Sequence, residues 1–313
     1  LDRLYVTYGR VNENPLGAGP IGGTSIKIDR QSTGKMLGLK GIVENSIDAT
    51  TTRDSAVEYI AAIAILMTNL SRISKDFSIW STSEFSFLQL SDEFSSPSSV
   101  MPQKKNPDIL ELTRGKTSHV IGNLTSMLST IQGLPSGYSR DLQQINPSIW
   151  SASKIAISAL LVMESMLKSV IINKKNMKKA AEDGYLIALD LAEKLVHNGI
   201  SFRKSHQIIG RLVKIAHKSG KPISELNKSE IKKEIKAKEV SLELLIELIQ
   251  STTITSSLHD RTSQGSSGIS EQKRMIKHRL GKINAYQTGI KNRSNDVQNS
   301  LNNLGKKVKA LTK

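Results

Sequence analysis

Residues 95–111 read Ser-Ser-Pro-Ser-Ser-Val-Met-Pro-Gln-Lys-Lys-Asn-Pro-Asp-Ile-Leu-Glu, a polar loop with three prolines that leads into an apolar, periodic segment. Asn106 can cap a helix, Pro107 suits the first helical position, and Asp108 suits the positive end of the helix dipole. Because a helix N-terminus carries unpaired N–H groups, the hydroxyls, lysines and amide gathered here favour an anion site. An ordinary solvated connection ending in a capped helix fits the same residues.

Apolar residues recur at three- and four-residue spacing on both sides of this loop, which is typical of helices. The segment 56–73 is apolar on most faces and is predicted to be largely buried. The helix that begins near Asp108 runs to Ile131 and is ended by Gly133-Leu134-Pro135, and another apolar segment covers residues 155–172. Three long helices and almost no strand pattern predict an all-α fold built on a long helical bundle.

The second half of the chain has shorter and more strongly amphipathic helical patterns. We predict a central bundle domain over residues 1–181, which contains the loop 95–107, and a small C-terminal helical domain over 182–283. The segment 251–270 is rich in Ser, Thr and Gly and is predicted to be a mobile connection. Residues 284–313 form a basic tail, predicted to be a loosely attached helix or disordered.

The composition excludes several classes of protein. The chain has 313 residues, of which 38% are apolar and 23% charged, the balance of a globular protein. It contains no cysteine, which excludes disulfides and thiolate metal sites and fits a reducing, cytoplasmic compartment. No apolar run reaches the ~18 residues of a spanning helix, so no membrane partner is predicted. The histidines lack metal-ligand spacing, so no metal site is predicted.

The charge is concentrated near the C-terminal end. The formal net charge is +16, and residues 271–313 contain eleven Lys or Arg against Glu271 and Asp296. Aromatic residues are only 4% of the chain and do not alternate with basic ones, so base stacking is not indicated. Nucleic acid is therefore not expected as the main partner, although a nucleic-acid binder that uses the basic tail remains an alternative.

The segment 95–111 resembles the fumarase/aspartase superfamily signature Gly-Ser-Ser-x-Met-Pro-x-Lys-x-Asn-Pro, and its form at 102–108 is similar to the argininosuccinate lyase branch. The resemblance covers roughly residues 1–283 and includes several further blocks in the same order. These blocks are Pro15–Gly19, Gly23-Thr24, Ile28–Arg30, Asn45–Asp48, Arg53-Asp54, Gly133–Gln143 and the region around Gly199 and Phe202-Arg203.

The resemblance implies an all-α homotetramer in which each active site draws on three chains. It also implies a cofactor-free β-elimination that cleaves argininosuccinate into arginine and fumarate, in arginine biosynthesis. In that reaction a base removes a Cβ proton, a carboxylate-stabilised carbanion forms, and the C–N bond breaks with proton donation to the guanidino nitrogen.

The resemblance also assigns roles to individual residues. Ser98 matches the catalytic base, whose alkoxide needs stabilisation by loop N–H groups and the Lys104 ammonium. Lys104 matches the lysine that stabilises the carbanion's carboxylate, and Glu111 matches the glutamate that pairs with the catalytic histidine. The matching substrate-binding positions are Ser99, Asn106, Tyr138, Gln143 and Asn146. Several of these residues also have a simpler interpretation. These are a loop hydroxyl for Ser98, solvated charges for Lys104 and Glu111, a helix cap for Asn106 and a structural tyrosine for Tyr138.

Two residues depart from the family pattern. Pro97 replaces the signature glycine, and Asn146 stands where the family usually has a lysine that meets a substrate carboxylate. The family's Ser-Arg-Asn-Asp and Thr-His blocks match nothing in these 313 residues and would precede Leu1, and the catalytic histidine should come from that part. This chain alone is therefore expected to have little lyase activity. Two alternatives keep the fold, namely a superfamily lyase acting on another substrate such as adenylosuccinate, and a non-catalytic member like the lens crystallins.

Overall fold

The computed structural model describes residues 1–101, 103–183, 185–236 and 238–312. The helices are α1 (Asp2–Val11), α2 (Arg30–Met36), α3 (Ser46–Thr51), α4 (Asp54–Trp80), α5 (Asp108–Ile131), α6 (Ile145–Ser169), α7 (Lys174–Asp183), α8 (Ala188–His197), α9 (Phe202–Ser219), α10 (Lys228–Glu234), α11 (Leu242–Ser251), α12 (Ile254–Asp260) and α13 (Ile269–Leu311). The two-residue strands are β1 (Glu13–Asn14), β2 (Gly41–Ile42), β3 (Leu88–Gln89), β4 (Ser96–Pro97), β5 (Lys105–Asn106) and β6 (Ile171–Ile172). The predicted all-α class is confirmed.

The chain divides into two compact units, of which the first contains the long bundle. It comprises Leu1–Glu84, Leu88–Ile171 and the residues from Asn284 onward. In this unit α4 packs on α5, α5 packs on α6, and α1 lies against α4. The buried residues include alanines on α6, which let the helices approach closely. They are Ile60, Ile63, Ala64, Met67, Leu70, Val120, Met127, Ile145, Ala152, Ala156 and Ala159.

A smaller cluster lies where the loop 95–107 joins the bundle. Leu110, in the first turn of α5, is completely buried and packs with Leu88, Leu90, Met163 and Met166. Because Leu110 follows the loop by only three residues, this packing fixes the start of α5 and therefore the end of the loop.

The second unit comprises Phe85–Phe87 and Ile172–Ile283. Its core comes from α8, α9, α10 and α11, and it buries Leu191, Leu195 and Leu212 completely. Gly220 ends α9 in the left-handed conformation at φ 61°, which glycine adopts without steric cost.

Two local expectations are wrong, and of the two forms expected for the tail the helical one is observed. Asn106 is not the cap of α5, because it lies in β5 while Pro107 occupies the cap position without a side-chain hydrogen bond. The segment 251–270 is not simply a mobile connection, since Thr253 and Ser256 form a capping box that starts α12. The tail residues up to Leu311 are helical and continue α13.

Two long segments, Asp54–Trp80 and Arg140–Ser169, have the length and composition to cross a bilayer, a test that core helices of soluble proteins also pass.

The segment 56–73 was expected to be largely buried, and this is wrong for one chain because Ile65 and Ile73 are exposed. On α6, Trp150 is 70% exposed and Leu161 is 58% exposed. One side of the bundle is therefore apolar and uncovered in a single chain.

Candidate active site

The segment 95–107 forms a short hairpin that stands next to the start of α5. β4 and β5 pair antiparallel, with Ser96 opposite Asn106 and Pro97 opposite Lys105. At its tip the Ser98 N–H donates to the Lys104 carbonyl at 3.0 Å, and the Lys104 N–H donates to the Met101 carbonyl at 3.0 Å. Pro97 is accommodated as a residue of β4, while Pro102 lies outside the described residues.

The Ser98 hydroxyl oxygen sits at the centre of this tip. It accepts the backbone N–H groups of Val100 at 3.2 Å and Met101 at 3.1 Å. Two preorganised N–H donors stabilise negative charge on the oxygen they contact, which is the requirement of a serine that acts as an alkoxide. Ser98 is half-buried, whereas its neighbour Ser99 is exposed.

The two lysines of the loop differ in their surroundings. The Lys105 ammonium forms an ion pair with Asp92. Lys104 is exposed and has no ion-pair partner in the part of the chain that the structure describes. Asn106 is half-buried next to Lys105 on β5. Lys104 is thus the lysine whose charge is available to an incoming anion.

Glu111 lies one turn into α5, on an open face of that helix. It is exposed and lines a cleft of about 570 Å³ together with Lys116 and His119. His119, which the sequence pattern suggested to be structural, is also exposed. The cleft brings an acid, a cation and an imidazole to one helix face, next to the loop that carries Ser98.

Tyr138, Gln143 and Asn146 form a second group beyond the end of α5. The Gln143 side-chain amide donates to the Tyr138 hydroxyl oxygen at 2.7 Å, so these two predicted residues are in contact. Asn146 follows in the first turn of α6 and is exposed. Asp141 interacts with Ser139 rather than with Arg140, and hydrogen bonding from Ser139 lowers the pKa of the Asp141 carboxyl.

A tight approach of two loops supports this second group. Gly137 has φ 107°, and a Cβ placed on it would lie 2.7 Å from the Ile21 side chain. The Gly137 N–H donates to the Thr51 hydroxyl oxygen at 2.7 Å. The positive φ favours glycine, and a larger residue would also have to displace the terminal methyl of Ile21, so Gly137 helps to set the position of Tyr138.

Sequence reasoning missed the residues that organise the glycine-rich segment before α3. The Arg30 guanidinium donates to the carbonyls of Leu16 at 3.0 Å and Val43 at 2.8 Å. The completely buried Asn14 side chain donates to the Arg30 carbonyl at 3.0 Å and accepts the Leu16 N–H at 3.1 Å. Arg30 stands within a family-like block, but the carbonyls it contacts have no signature in the sequence.

The predicted residues therefore fall into two groups, which one chain does not bring together. Ser98, Ser99, Lys104, Asn106 and Glu111 lie at the start of α5, and Tyr138, Gln143 and Asn146 lie beyond its end. α5 has 24 residues, which at 1.5 Å per residue is a length of about 35 Å.

Family models match both halves of the chain. The family described as Lyase matches residues 1–122, and the family described as Argininosuccinate lyase C-terminal matches residues 185–254. Among sequence relatives, an argininosuccinate lyase of Nitrosopumilus maritimus (strain SCM1) is 62% identical over 306 residues, which is 98% of this chain and 63% of the relative. One of Acetivibrio thermocellus is 42% identical over 232 residues, which is 74% of this chain and 51% of the relative.

The chain therefore spans between about half and just under two thirds of the length of these relatives. Among solved structures, EDDS lyase in complex with formate superposes with a TM-score of 0.84 at 25% identity, covering 99% of this chain and 62% of that chain. A class II fumarase from Schistosoma mansoni superposes with a TM-score of 0.64 at 15% identity over 80% of this chain and 54% of that chain, which shows the fold alone. Fold, family models and relatives agree, and the chain belongs to the argininosuccinate lyase family of the fumarase/aspartase superfamily.

Proposed function

We propose that the protein containing this chain is an argininosuccinate lyase that cleaves argininosuccinate into arginine and fumarate in arginine biosynthesis. The observation that carries the proposal is the Ser98 hydroxyl oxygen held by the N–H groups of Val100 and Met101 at 3.2 and 3.1 Å. An ordinary serine is too weak an acid to serve as a base, and this geometry supplies the stabilisation that its alkoxide needs.

The chemistry follows from that arrangement. The Ser98 alkoxide removes the Cβ proton, and the resulting negative charge is delocalised into the adjacent carboxylate. The Lys104 ammonium stabilises that charge, because it stands on the same hairpin and lacks an ion-pair partner among the described residues. The C–N bond then breaks, its electron pair passes to the guanidino nitrogen, and an acid protonates that nitrogen.

The remaining roles concern the acid and the substrate. Glu111 would pair with a histidine that acts as this acid, as the family resemblance implies, and the open cleft along α5 leaves room for such a partner. Ser99, Asn106, Tyr138, Gln143 and Asn146 would hold the substrate. The proposed reaction needs no metal or other cofactor, since the carboxylate of the substrate itself accepts the charge.

We further propose a homotetramer with active sites shared between chains. The two residue groups lie toward opposite ends of a helix about 35 Å long, so a single substrate cannot contact both groups of one chain. The uncovered apolar side of α6, with Trp150 and Leu161 exposed, supports the same arrangement. We interpret this side as an interface between copies rather than a surface for lipid, and we propose a cytoplasmic location.

The test uses the protein at the full length of its relatives and follows fumarate absorbance. With argininosuccinate, Ser98→Ala is expected to lower turnover by roughly 10²–10⁴-fold, the usual contribution of a positioned base. Ser99→Ala is the matched comparison, because it removes the same hydroxyl from the adjacent position assigned to substrate binding; it should raise KM and leave kcat close to that of the parent. Equal losses in the two variants would contradict the role of Ser98.

A superfamily lyase with another amine–fumarate adduct as substrate is the second candidate. It is favoured by Asn146, an exposed neutral residue where the family usually has a lysine for a substrate carboxylate. Offering argininosuccinate and adenylosuccinate to the same preparation separates the two, since each releases fumarate only with its own enzyme. If neither substrate releases fumarate, the non-catalytic alternative gains support.

A further inference from the structure

Thr51, the last residue of α3, contacts the turn that follows α5 and carries Tyr138. Its hydroxyl oxygen accepts the N–H of Gly137 at 2.7 Å, and the two residues are 86 positions apart along the chain. Thr51 is half-buried and Gly137 is buried. A buried backbone N–H needs a partner, because leaving it without one costs more free energy than an average hydrogen bond contributes. The Thr51 hydroxyl supplies that partner.

The short helix α3 holds this hydroxyl in a fixed place. The Asn45 side chain caps the start of the helix and accepts two backbone N–H groups, at 2.8 and 3.3 Å. At the other end the Arg53 guanidinium donates to the carbonyls of Thr50 at 3.2 Å and Thr52 at 2.8 Å, one on each side of Thr51. These interactions satisfy backbone groups that the ends of a helix leave unpaired. The Thr51 side chain is therefore presented from a braced segment.

The turn that carries Tyr138 is held from two sides. After Tyr138, the side chains of Leu142 and Ile145 are buried and fix the approach to α6. Before Tyr138, the hydrogen bond from Gly137 to Thr51 ties the turn to α3. Loss of that bond would loosen the Tyr138 side of the turn, while Leu142 and Ile145 would continue to hold the other side.

We propose that Thr51 is a positioning residue for substrate binding and acts through Tyr138. The Gln143 amide, on the anchored side of the turn, donates to the Tyr138 hydroxyl oxygen at 2.7 Å. Tyr138 itself is 58% exposed, so its own packing restrains it little, and its contact with Gln143 depends on the place of the backbone before it. This inference rests on the proposed function, which assigns both residues to the substrate.

The test compares valine substitutions at two adjacent threonines of the full-length protein. Thr51→Val keeps the shape of the side chain and removes the acceptor of the Gly137 N–H. Thr50→Val is the matched control, because Thr50 is also half-buried and its hydroxyl donates within its own helix, to the carbonyls of Ile47 at 2.9 Å and Ser46 at 3.1 Å. Thr51→Ser keeps the hydroxyl and is the rescue variant.

The expected result is a change in substrate binding rather than in chemistry. With argininosuccinate, Thr51→Val should raise KM roughly tenfold and leave kcat within about twofold of the parent, because a displaced Tyr138 weakens binding without altering the base. Thr51→Ser and Thr50→Val should keep the KM of the parent. Combined with Tyr138→Phe, Thr51→Val should raise KM by less than the product of the two separate changes, since both act on one contact.

Hydrogen exchange gives a readout that needs no substrate. In Thr51→Val the Gly137 amide loses its acceptor, so a peptide that covers residues 134–143 should exchange faster than in the parent, and it should be unchanged in Thr50→Val. If the parent releases no fumarate from argininosuccinate, the proposed function fails and the exchange alone decides. Faster exchange in Thr51→Val would then support the positioning of the turn by Thr51, and equal exchange in the two variants would overturn it.

Three kinetic results would also overturn the proposal. Equal KM values for Thr51→Val and Thr50→Val would mean that the contact with Gly137 does not affect binding. A lower melting temperature for Thr51→Val with an unchanged KM would make Thr51 purely structural. A Thr51→Ser variant as impaired as Thr51→Val would show that the hydroxyl is not the group that acts. Far-UV circular dichroism establishes that each variant folds, and Thr51→Ala with Thr50→Ala repeats the comparison if valine prevents folding.

Discussion

At the scale of single residues, substitutions of the two adjacent loop lysines are expected to have opposite effects on turnover, a large loss for one and little change for the other. Lys104→Met should lower turnover by about 10²–10³-fold, the effect of removing one preorganised charge-stabilising group. Lys105→Met removes an exposed ion pair with Asp92, which is worth at most about 1 kcal/mol, and should leave turnover near that of the parent. Steady-state kinetics with argininosuccinate compares the two. If Lys105→Met proves the more damaging variant, the roles of the lysines are reversed.

A second residue-scale prediction concerns a buried carboxylate in the second unit. Asp190 is 4% exposed and its Oδ1 accepts a hydrogen bond from Arg261 at 3.0 Å. Arg261→Met should lower the free energy of unfolding by about 3 kcal/mol, because it leaves a buried charge without its partner. Urea titration of the chain measures the loss.

The neighbouring pair provides the control for that measurement. Lys194 contacts Asp260 at 3.4 Å, and Asp260 is largely exposed, so Lys194→Met should cost about 1 kcal/mol or less. Adding Asp190→Asn to Arg261→Met should recover part of the stability. An unchanged urea midpoint for Arg261→Met would show that water solvates Asp190 in place of the arginine.

The contacts of a residue could be predicted from the sequence where its partners lie close to it along the chain, and not where they lie far away. The roles of Ser98 and Lys104 were inferred from a contiguous motif, and the chain itself brings the N–H groups of Val100 and Met101 to Ser98. The contacts of Arg30 with Val43 and of Asp190 with Arg261 join segments 13 and 71 residues apart, which no local pattern encodes. The assigned catalytic roles themselves stay predictions until they are tested.

At the scale of elements, the turn that carries Tyr138 can be tested through its glycine. Gly137→Ala adds a methyl group 2.7 Å from Ile21 at φ 107°, and should both destabilise the first unit and weaken substrate binding. Gly133→Ala is the matched control, because Gly133 also has positive φ, 73°, but has open space around its Cβ position. The difference between the two variants therefore reports the contact rather than the backbone angle.

The expected result is a higher KM for Gly137→Ala with a smaller change in kcat, and an unfolding free energy lower by about 1–3 kcal/mol. Gly133→Ala should lose only the backbone contribution of about 1 kcal/mol. Ile21→Ala should partly rescue Gly137→Ala. Equal effects of the two glycine variants would remove any special role of the Ile21 contact.

Helices were predictable where apolar periodicity was strong and missed where polar residues form them. α5 was predicted to end at Ile131, where it does end, because Gly133-Leu134-Pro135 breaks the pattern. α12 was missed because Thr253 and Ser256, typical of loops, here form a capping box. The tail was expected to be a loosely attached helix or disordered because Lys and Asn dominate its composition, and it is helical up to Leu311.

At the scale of the whole molecule, the burial of the bundle was the property least accessible from the sequence. An apolar helix such as α4 is expected to be buried, yet the sequence does not say whether its own chain or another copy covers it. In this chain Ile60 and Met67 are completely buried, while Ile65 and Ile73 on the same helix are exposed. The same ambiguity affects the candidate site, whose motif residues are separated along α5.

The separation of the two groups predicts complementation between inactive variants of the full-length protein. Ser98→Ala removes the base at the start of α5, and Gln143→Ala removes the partner of Tyr138 beyond its end. If each site takes these groups from different chains, mixed assemblies contain some sites in which both groups are intact. With random assembly, about a quarter of the sites should be intact, so fumarate release should rise to about that fraction of the parent's. Refolding Ser98→Ala together with Lys104→Met, both in one hairpin, is the control and should restore nothing. A mixture of Ser98→Ala and Gln143→Ala that is no more active than either variant alone would mean that one chain supplies both groups.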